Sequence, residues 1–169
     1  LADHSEAGFN QRMTDIQGAL GSAQMKRAKL ISEERKSLAG RYNEAFDSIK
    51  WIKTPTLDNG NHGFQSYACL FDPESIQRAL ITKNYDAIKT INKKRNSWMD
   101  FLFKKGISTR PSTHAVHMLS YYKKKYNLNP TDFPNAFAAN DCSISLPLFH
   151  GMTKKEQNHV IEIVKESFN

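Results

Sequence analysis

Asn10 and Arg12 stand two residues apart, directly ahead of Thr14 and Gln17, in the stretch "GFNQRMTDIQGALG". A threonine followed three residues later by a glutamine forms a capping box, so the pattern predicts a helix starting at Thr14. A helix start offers unpaired backbone amides and the positive end of the peptide dipole, and both favour an anion. An asparagine amide and a forked guanidinium placed just before it can donate to phosphate oxygens. These residue types at this spacing suit phosphate binding; the alternative is a capped helix with an exposed arginine. Gly18, Ala19, Gly21, Ser22 and Ala23 follow on the same helix. An interior glycine costs about 1 kcal/mol relative to alanine, so these small residues suit the close approach of another backbone.

Other chemistries find less support. His114 and His117 share a helical face at best, and no Cys, Asp or Glu lies near them at ligand spacing, so no metal site is expected. The chain has no G-x-S-x-G turn, no P-loop and no dinucleotide fingerprint. Cys69 and Cys142 are far apart in apolar stretches and read as buried free thiols, which predicts a reducing, cytoplasmic setting. The net charge of +7 comes from short runs such as Lys93-Lys94-Arg95 and Lys123-Lys124-Lys125. Those runs read as solvated helix faces, with an anionic small molecule as the next reading. Without a recognised reader motif, no nucleic-acid partner is expected. No apolar run approaches the roughly 20 residues of a membrane span, so no membrane partner is expected either. "LADHSEAG" lacks the pattern of a signal peptide, and Leu1 in place of an initiator Met suits a cut end.

The apolar pattern lays out the elements that carry these groups. Helical spacing runs from Thr14 to about Phe46, through Ile16, Leu20, Leu30, Leu38 and Tyr42, and leaves open a break near Ala28. A loop is expected over Thr54–Gly63 and a strand over Phe64–Phe71, closed by Asp72-Pro73. A helix over Ile91–Lys105 would place Ile91, Trp98 and Leu102 on one face, with Lys and Arg opposite and Gly106 as its stop. Ile107–Pro111 reads as a short strand, and "THAVHMLSYYKKKYN" as a loop followed by a short helix. A further helix has Pro134 in its first turn. "CSISLP" alternates as a strand, and the last helix has a capping box at Thr153 and Glu156 and a stripe of Val160, Val164 and Phe168. The fold class is α+β: a small, mostly antiparallel sheet with helices packed on it.

Four stretches, taken in order, resemble one family. "GFNQRMTDIQGALGSAQMKR" is similar to the "GYNYRMTDIQAALGLAQLKR" pattern of the DegT/DnrJ/StrS pyridoxal-phosphate aminotransferases, the sugar aminotransferases. "HGFQSYACLFD" resembles their H-x-Y-H-x-Y strand, and "WMDFLFKKGISTRP" their helix followed by a G-I-x-T strand. "DFPNAFAANDCSISLPLFHGMTKKEQNHVI" resembles their F-P-N-A…S-L-P-L…M-T-x-x-x-x-x-V-I ending. The likeness runs from about Gly8 to Phe168.

The resemblance implies the C-terminal small domain of a fold-type I pyridoxal-phosphate transferase. Residues 1–47 would be an interface segment and linking helix, and 48–169 the small domain. A larger N-terminal domain would carry the cofactor lysine, since no lysine here has a comparable context; no catalytic residue is assigned to this chain, and residues 1–169 alone are expected to be inactive. The full enzyme would move an amino group from an amino-acid donor to a keto sugar, as a nucleotide-linked substrate. It would work as a homodimer with shared active sites. Asn10 matches the family asparagine that reaches the neighbour's cofactor phosphate, and Arg12 the nearby basic position. His62, Arg110, His114 and His117 would face the substrate. Two departures bear on which sugar is used: Gln65 replaces the second histidine of H-x-Y-H-x-Y, and "RPSTHAVHMLSYY" replaces a P-L-H segment, with His117 its nearest counterpart. The alternative is a stand-alone binding or regulatory module derived from the family.

Overall fold

The computed structural model describes residues 9, 11–56, 60 and 62–168. Helix α1 spans Asp15–Phe46 without a break at Ala28. Its capping box forms as expected: the Gln17 amide donates to Thr14 Oγ1 at 3.3 Å, and the Thr14 amide to Gln17 Oε1 at 3.0 Å. Only the end of this helix is buried, at Ala39, Tyr42 and Phe46. The expected apolar stripe is uncovered at its start, where Ile16 is 83% and Leu20 63% exposed.

Three strands follow, β1 (Ile52–Lys53), β2 (Tyr67–Phe71) and β3 (Ser143–Leu146), in an antiparallel sheet of order β1-β2-β3. Cys69 pairs with Ile144 and Tyr67 with Leu146. β2 alternates, burying Tyr67, Cys69 and Phe71, but starts three residues later than its apolar run. β3 is buried along its whole length, because Ser112 Oγ meets Ser145 Oγ at 2.6 Å on the side read as polar. The loop expected at Thr54–Gly63 falls partly outside the described residues.

Helices cover the sheet. Asp72, in the left-handed region at φ 51°, caps α2 (Pro73–Ile81) by accepting from the Ser75 amide, a helix that the sequence pattern missed. α3 (Tyr85–Lys104) begins six residues before the expected start because Asn84 caps it. Arg95 is buried on its apolar face rather than exposed opposite it, donating to the Asp141 carbonyl at 2.7 Å. The stretch expected as a strand at Ile107–Pro111 makes only one bridge, Arg110 to Ser145. The short helix α4 (Ser120–Tyr126), then α5 (Pro134–Cys142) and α6 (Lys154–Glu166) complete the chain. Val160 and Val164 are buried as expected, whereas Phe168 lies past the end of α6 and is 59% exposed. Among the described residues no helix is long and apolar enough to cross a membrane.

The end of α1 is held to α6 by polar contacts as well as by packing. The fully buried Gln157 donates to the Leu38 carbonyl at 2.7 Å and accepts from Arg41, which also donates to Asn158. Tyr42 donates to the Pro147 carbonyl at 2.9 Å. A buried polar group stripped of its partner costs about 1–3 kcal/mol. Gln157→Ala is therefore expected to lower stability by about 2–3 kcal/mol, and Asn158→Ala, at an exposed position, by under about 1 kcal/mol. Urea unfolding of the two variants checks this, and an unchanged midpoint for Gln157→Ala would contradict it.

Candidate functional site

The Ser145 amide donates to the Arg110 carbonyl at 2.8 Å, which lays residues 108–110 along the free edge of β3. Beside this edge is a cleft of about 340 Å³. Gln65 and Ser66 line it from the approach to β2, Ser108, Thr109 and Arg110 from the bridged segment, and Leu148 and Phe149 from the loop after β3. The lining is rich in hydroxyls, with one side-chain amide, one guanidinium and no carboxylate. Arg110 is exposed and has no ion pair among the described residues. A set of this kind offers donors to an oxygen-rich anionic ligand.

The loop that closes this cleft is tied to α1. His150, next to Phe149, lies between Glu34 at Nδ1 and Arg27 Nη2, which is 3.0 Å from Nε2. An arginine only donates, so Nε2 accepts and the ring hydrogen sits on Nδ1, facing the carboxylate. One side chain thus ties the loop that walls the cleft to α1. Its neighbour in chain order gave no hint of this, because the partners are more than 100 residues away.

The expected site residues are not gathered in one place. Arg110 lines the cleft, as does Gln65, the residue that departs from the family strand pattern. His62 is exposed; its Nδ1 accepts from the Phe64 amide at 2.8 Å and its ring packs on Phe64. His114 is exposed at the surface. His117 is buried, its Nε2 3.0 Å from the Pro130 carbonyl and its ring against Phe133, so it pins the loop around it. Arg12 is exposed just ahead of α1. Asn10 lies outside the described residues. Ser66, Ser108, Thr109 and Phe149 line the cleft without any signal in the sequence beyond their place beside strand-like runs.

A model of the DegT/DnrJ/EryC1/StrS aminotransferase family matches residues 2–165. The chain belongs to that family. It is 31% identical over 160 residues to the spore coat polysaccharide biosynthesis protein SpsC of Bacillus subtilis, covering 94% of this chain and 38% of SpsC. It is 28% identical over 157 residues to the GDP-perosamine synthase of Caulobacter vibrioides, covering 91% and 37%. The chain thus spans well under half the length of these relatives. The fold matches that of the sugar aminotransferase CalS13 from Micromonospora echinospora with a TM-score of 0.73 at 17% identity, over 98% of this chain and 38% of that one.

The family implies pyridoxal phosphate, and the chain fits one end of it. At the phosphate end, Arg12 is exposed and free of ion pairs among the described residues, and the amides of Asp15 and Ile16 are not used by the capping box. Asp15 already supplies a carboxylate to the first turn, so the guanidinium rather than the dipole would carry that contact. At the ring end the chain has nothing comparable: every lysine among the described residues is exposed except the half-buried Lys36.

Neither cysteine can serve as a nucleophile. Both thiols are free and buried. Burial pushes the Cys69 thiol far up, and burial with the neighbouring Asp141 pushes Cys142 up to about 12. A thiol reagent such as 5,5′-dithiobis(2-nitrobenzoate) at pH 8 is expected to leave both unmodified in the folded chain and to titrate both after unfolding. Rapid modification of the folded chain would contradict this assignment.

Proposed function

We propose that this chain is the C-terminal domain of a pyridoxal-phosphate aminotransferase that acts on a keto sugar carried by a nucleotide. Residues 1–47 link it to the cofactor-binding domain and to a second copy of the enzyme, and 48–169 form the small domain. The observation that carries the reading is the uncovered start of α1. Ile16, Leu20 and Met25 are exposed, and a Cβ added at Gly18 or Gly21 would meet nothing within 4 Å. A helix start with exposed apolar side chains at Ile16 and Leu20 on one side and bare backbone at Gly18 and Gly21 on the other, with Arg12 just ahead of it, fits a close contact with another unit of the same enzyme.

In this reading Asn10 and Arg12 hold the cofactor phosphate, across the interface of a homodimer with shared active sites. Pyridoxal phosphate, when bound, supplies the electron sink through which an amino group passes from an amino-acid donor to a carbonyl. Arg110 and the hydroxyls beside it orient the substrate's anionic, oxygen-rich end. His117 acts by fixing the loop after Arg110, and His62 and His114, which lie outside the cleft, would meet the substrate only in the whole enzyme. Gln65 tunes which sugar fits. The names of SpsC and GDP-perosamine synthase support a sugar substrate, and the latter a nucleotide carrier. The two buried free thiols suit a cytoplasmic enzyme.

The test uses the whole polypeptide that the gene encodes. It is expected to transfer nitrogen from glutamate to a nucleotide-linked keto sugar, while residues 1–169 alone show no turnover. A hydrogen bond to a charged group contributes about 1.5–3 kcal/mol, so Arg12→Ala should weaken pyridoxal phosphate about 10- to 100-fold. Arg110→Ala should raise KM for the sugar nucleotide more than it lowers kcat. Turnover by residues 1–169 alone, or unchanged cofactor affinity in Arg12→Ala, would contradict the proposal.

A further inference from the structure

Helix α4 buries nothing. All of its residues, Ser120–Tyr126, are exposed, although three of them are tyrosines. Val116 and Leu119, just ahead of it, are exposed as well. The side chains of α4 pack on one another instead. The rings of Tyr122 and Tyr126 stack with centroids 6.4 Å apart, and Tyr121 meets Tyr122 edge to face at 5.2 Å. Lys125 joins this group: its Nζ lies 5.3 Å from the Tyr121 ring centre and 5.5 Å from that of Tyr126, and donates to the Tyr121 hydroxyl at 3.1 Å. Lys123, three residues before Tyr126, is its neighbour on the same side of the helix, whereas Lys124 falls on the other side. Three tyrosines and two lysines therefore form one exposed face.

The charge around this face is one-sided. From Phe101 to Thr131 the sequence has Lys104, Lys105, Arg110, Lys123, Lys124 and Lys125, and no Asp or Glu. None of the α4 lysines has a carboxylate partner among the described residues. The first carboxylate after the helix, Asp132, accepts from the Asn129 amide at 2.7 Å.

Size and charge narrow the partner. A second copy of this face would set lysines against lysines. A stable protein interface takes about 20–30 residues a side, and α4 has 7. A bilayer surface sets no such minimum, because each side chain that reaches it adds its own share. Tyrosine, an apolar ring with a polar tip, is enriched at the level of the lipid headgroups. Each lysine near an anionic leaflet gains about fivefold in partitioning. At about 10 Å long, α4 cannot cross a membrane, so the contact is peripheral.

We propose that α4 docks this protein on an anionic phospholipid surface, with Tyr121, Tyr122 and Tyr126 at headgroup level and Lys123 and Lys125 facing the lipid anions. The site is separate from the cleft at Arg110 and does not depend on the aminotransferase reading.

The whole polypeptide that the gene encodes is mixed with phosphatidylcholine vesicles containing about one-third phosphatidylserine, and bound protein is measured by sedimentation. It is expected to bind these vesicles and not pure phosphatidylcholine, and to be released in about 1 M salt. Lys123→Gln with Lys125→Gln should lower partitioning about 25-fold, and Tyr121→Ser with Tyr126→Ser about fivefold or more. These side chains are exposed, and far-UV circular dichroism verifies that the variants fold. Lys154→Gln with Lys155→Gln removes the same charge from the start of α6 and should leave binding within about twofold. Absence of binding to the anionic vesicles, equal binding to pure phosphatidylcholine, or an equal loss in the Lys154, Lys155 variant would each overturn the proposal. So would tyrosine variants that bind like the parent chain. Binding to polyglutamate in place of vesicles would assign the face to an acidic protein and overturn it too.

Discussion

The structure depends on one imbalance: α1 is longer than the domain that holds it. Its 32 residues reach about 48 Å, and only Ala39, Tyr42 and Phe46 near its end are buried. Before Arg27 the helix has no tertiary hydrogen bond among the described residues, and Ile16, Leu20 and Met25 face solvent. A lone helical stretch of this length is marginal in water, and two interior glycines weaken it by about 1 kcal/mol each. Covering each large apolar side chain would return about 1.5–3 kcal/mol. An exposed apolar start of this kind is what a covering surface would stabilise, and the proposed contact with another unit of the enzyme rests on it.

What the domain itself supplies is direction. Gln157, Arg41 and Tyr42 lock the end of α1 against α6 and the Pro147 carbonyl, and His150 holds Glu34 and Arg27 farther up the helix. Apolar packing alone tolerates sliding and rotation; these hydrogen bonds do not, because each partner left behind would be a desolvated polar group. Pro147 and Phe149 also line the cleft at Arg110. The loop from Pro147 to His150 thus touches both α1 and the cleft at Arg110.

Local rules were legible in the sequence wherever a local interaction decides the structure. The capping boxes at Thr14 and Thr153 mark the starts of α1 and α6, and Pro134 marks the first turn of α5. Legibility failed where distant contacts decide. α2 depends on a left-handed Asp72 that reads only as a strand end. Ile107–Pro111 has strand-like residues, but a proline without an N–H ends its ladder after one bridge. Arg95 keeps the helical spacing of Ile91, Trp98 and Leu102, and its charge concealed a buried role that the Asp141 carbonyl makes possible. The apolar stripe of α1 was legible as a stripe, but periodicity cannot tell which molecule covers it. For the candidate site, Arg110 was legible only through its place directly after the "GIST" stretch, at the start of the segment that departs from the family pattern. His114 and His117 look paired by spacing, yet a 3-10 turn at Val116–Met118 sends His117 inward while His114 stays outside it.

The most direct test of the central claim, that α1 is completed by another unit of the same enzyme, is amide hydrogen exchange read residue by residue. The comparison is between residues 1–169 alone and the whole polypeptide. Covering the start of α1 should slow exchange at 18–30 by at least about 100-fold in the whole polypeptide, while the amides of 39–46 keep the same protection in both. Equally fast exchange at 18–30 in the two samples would mean that the start of α1 stays uncovered, and the account would be wrong.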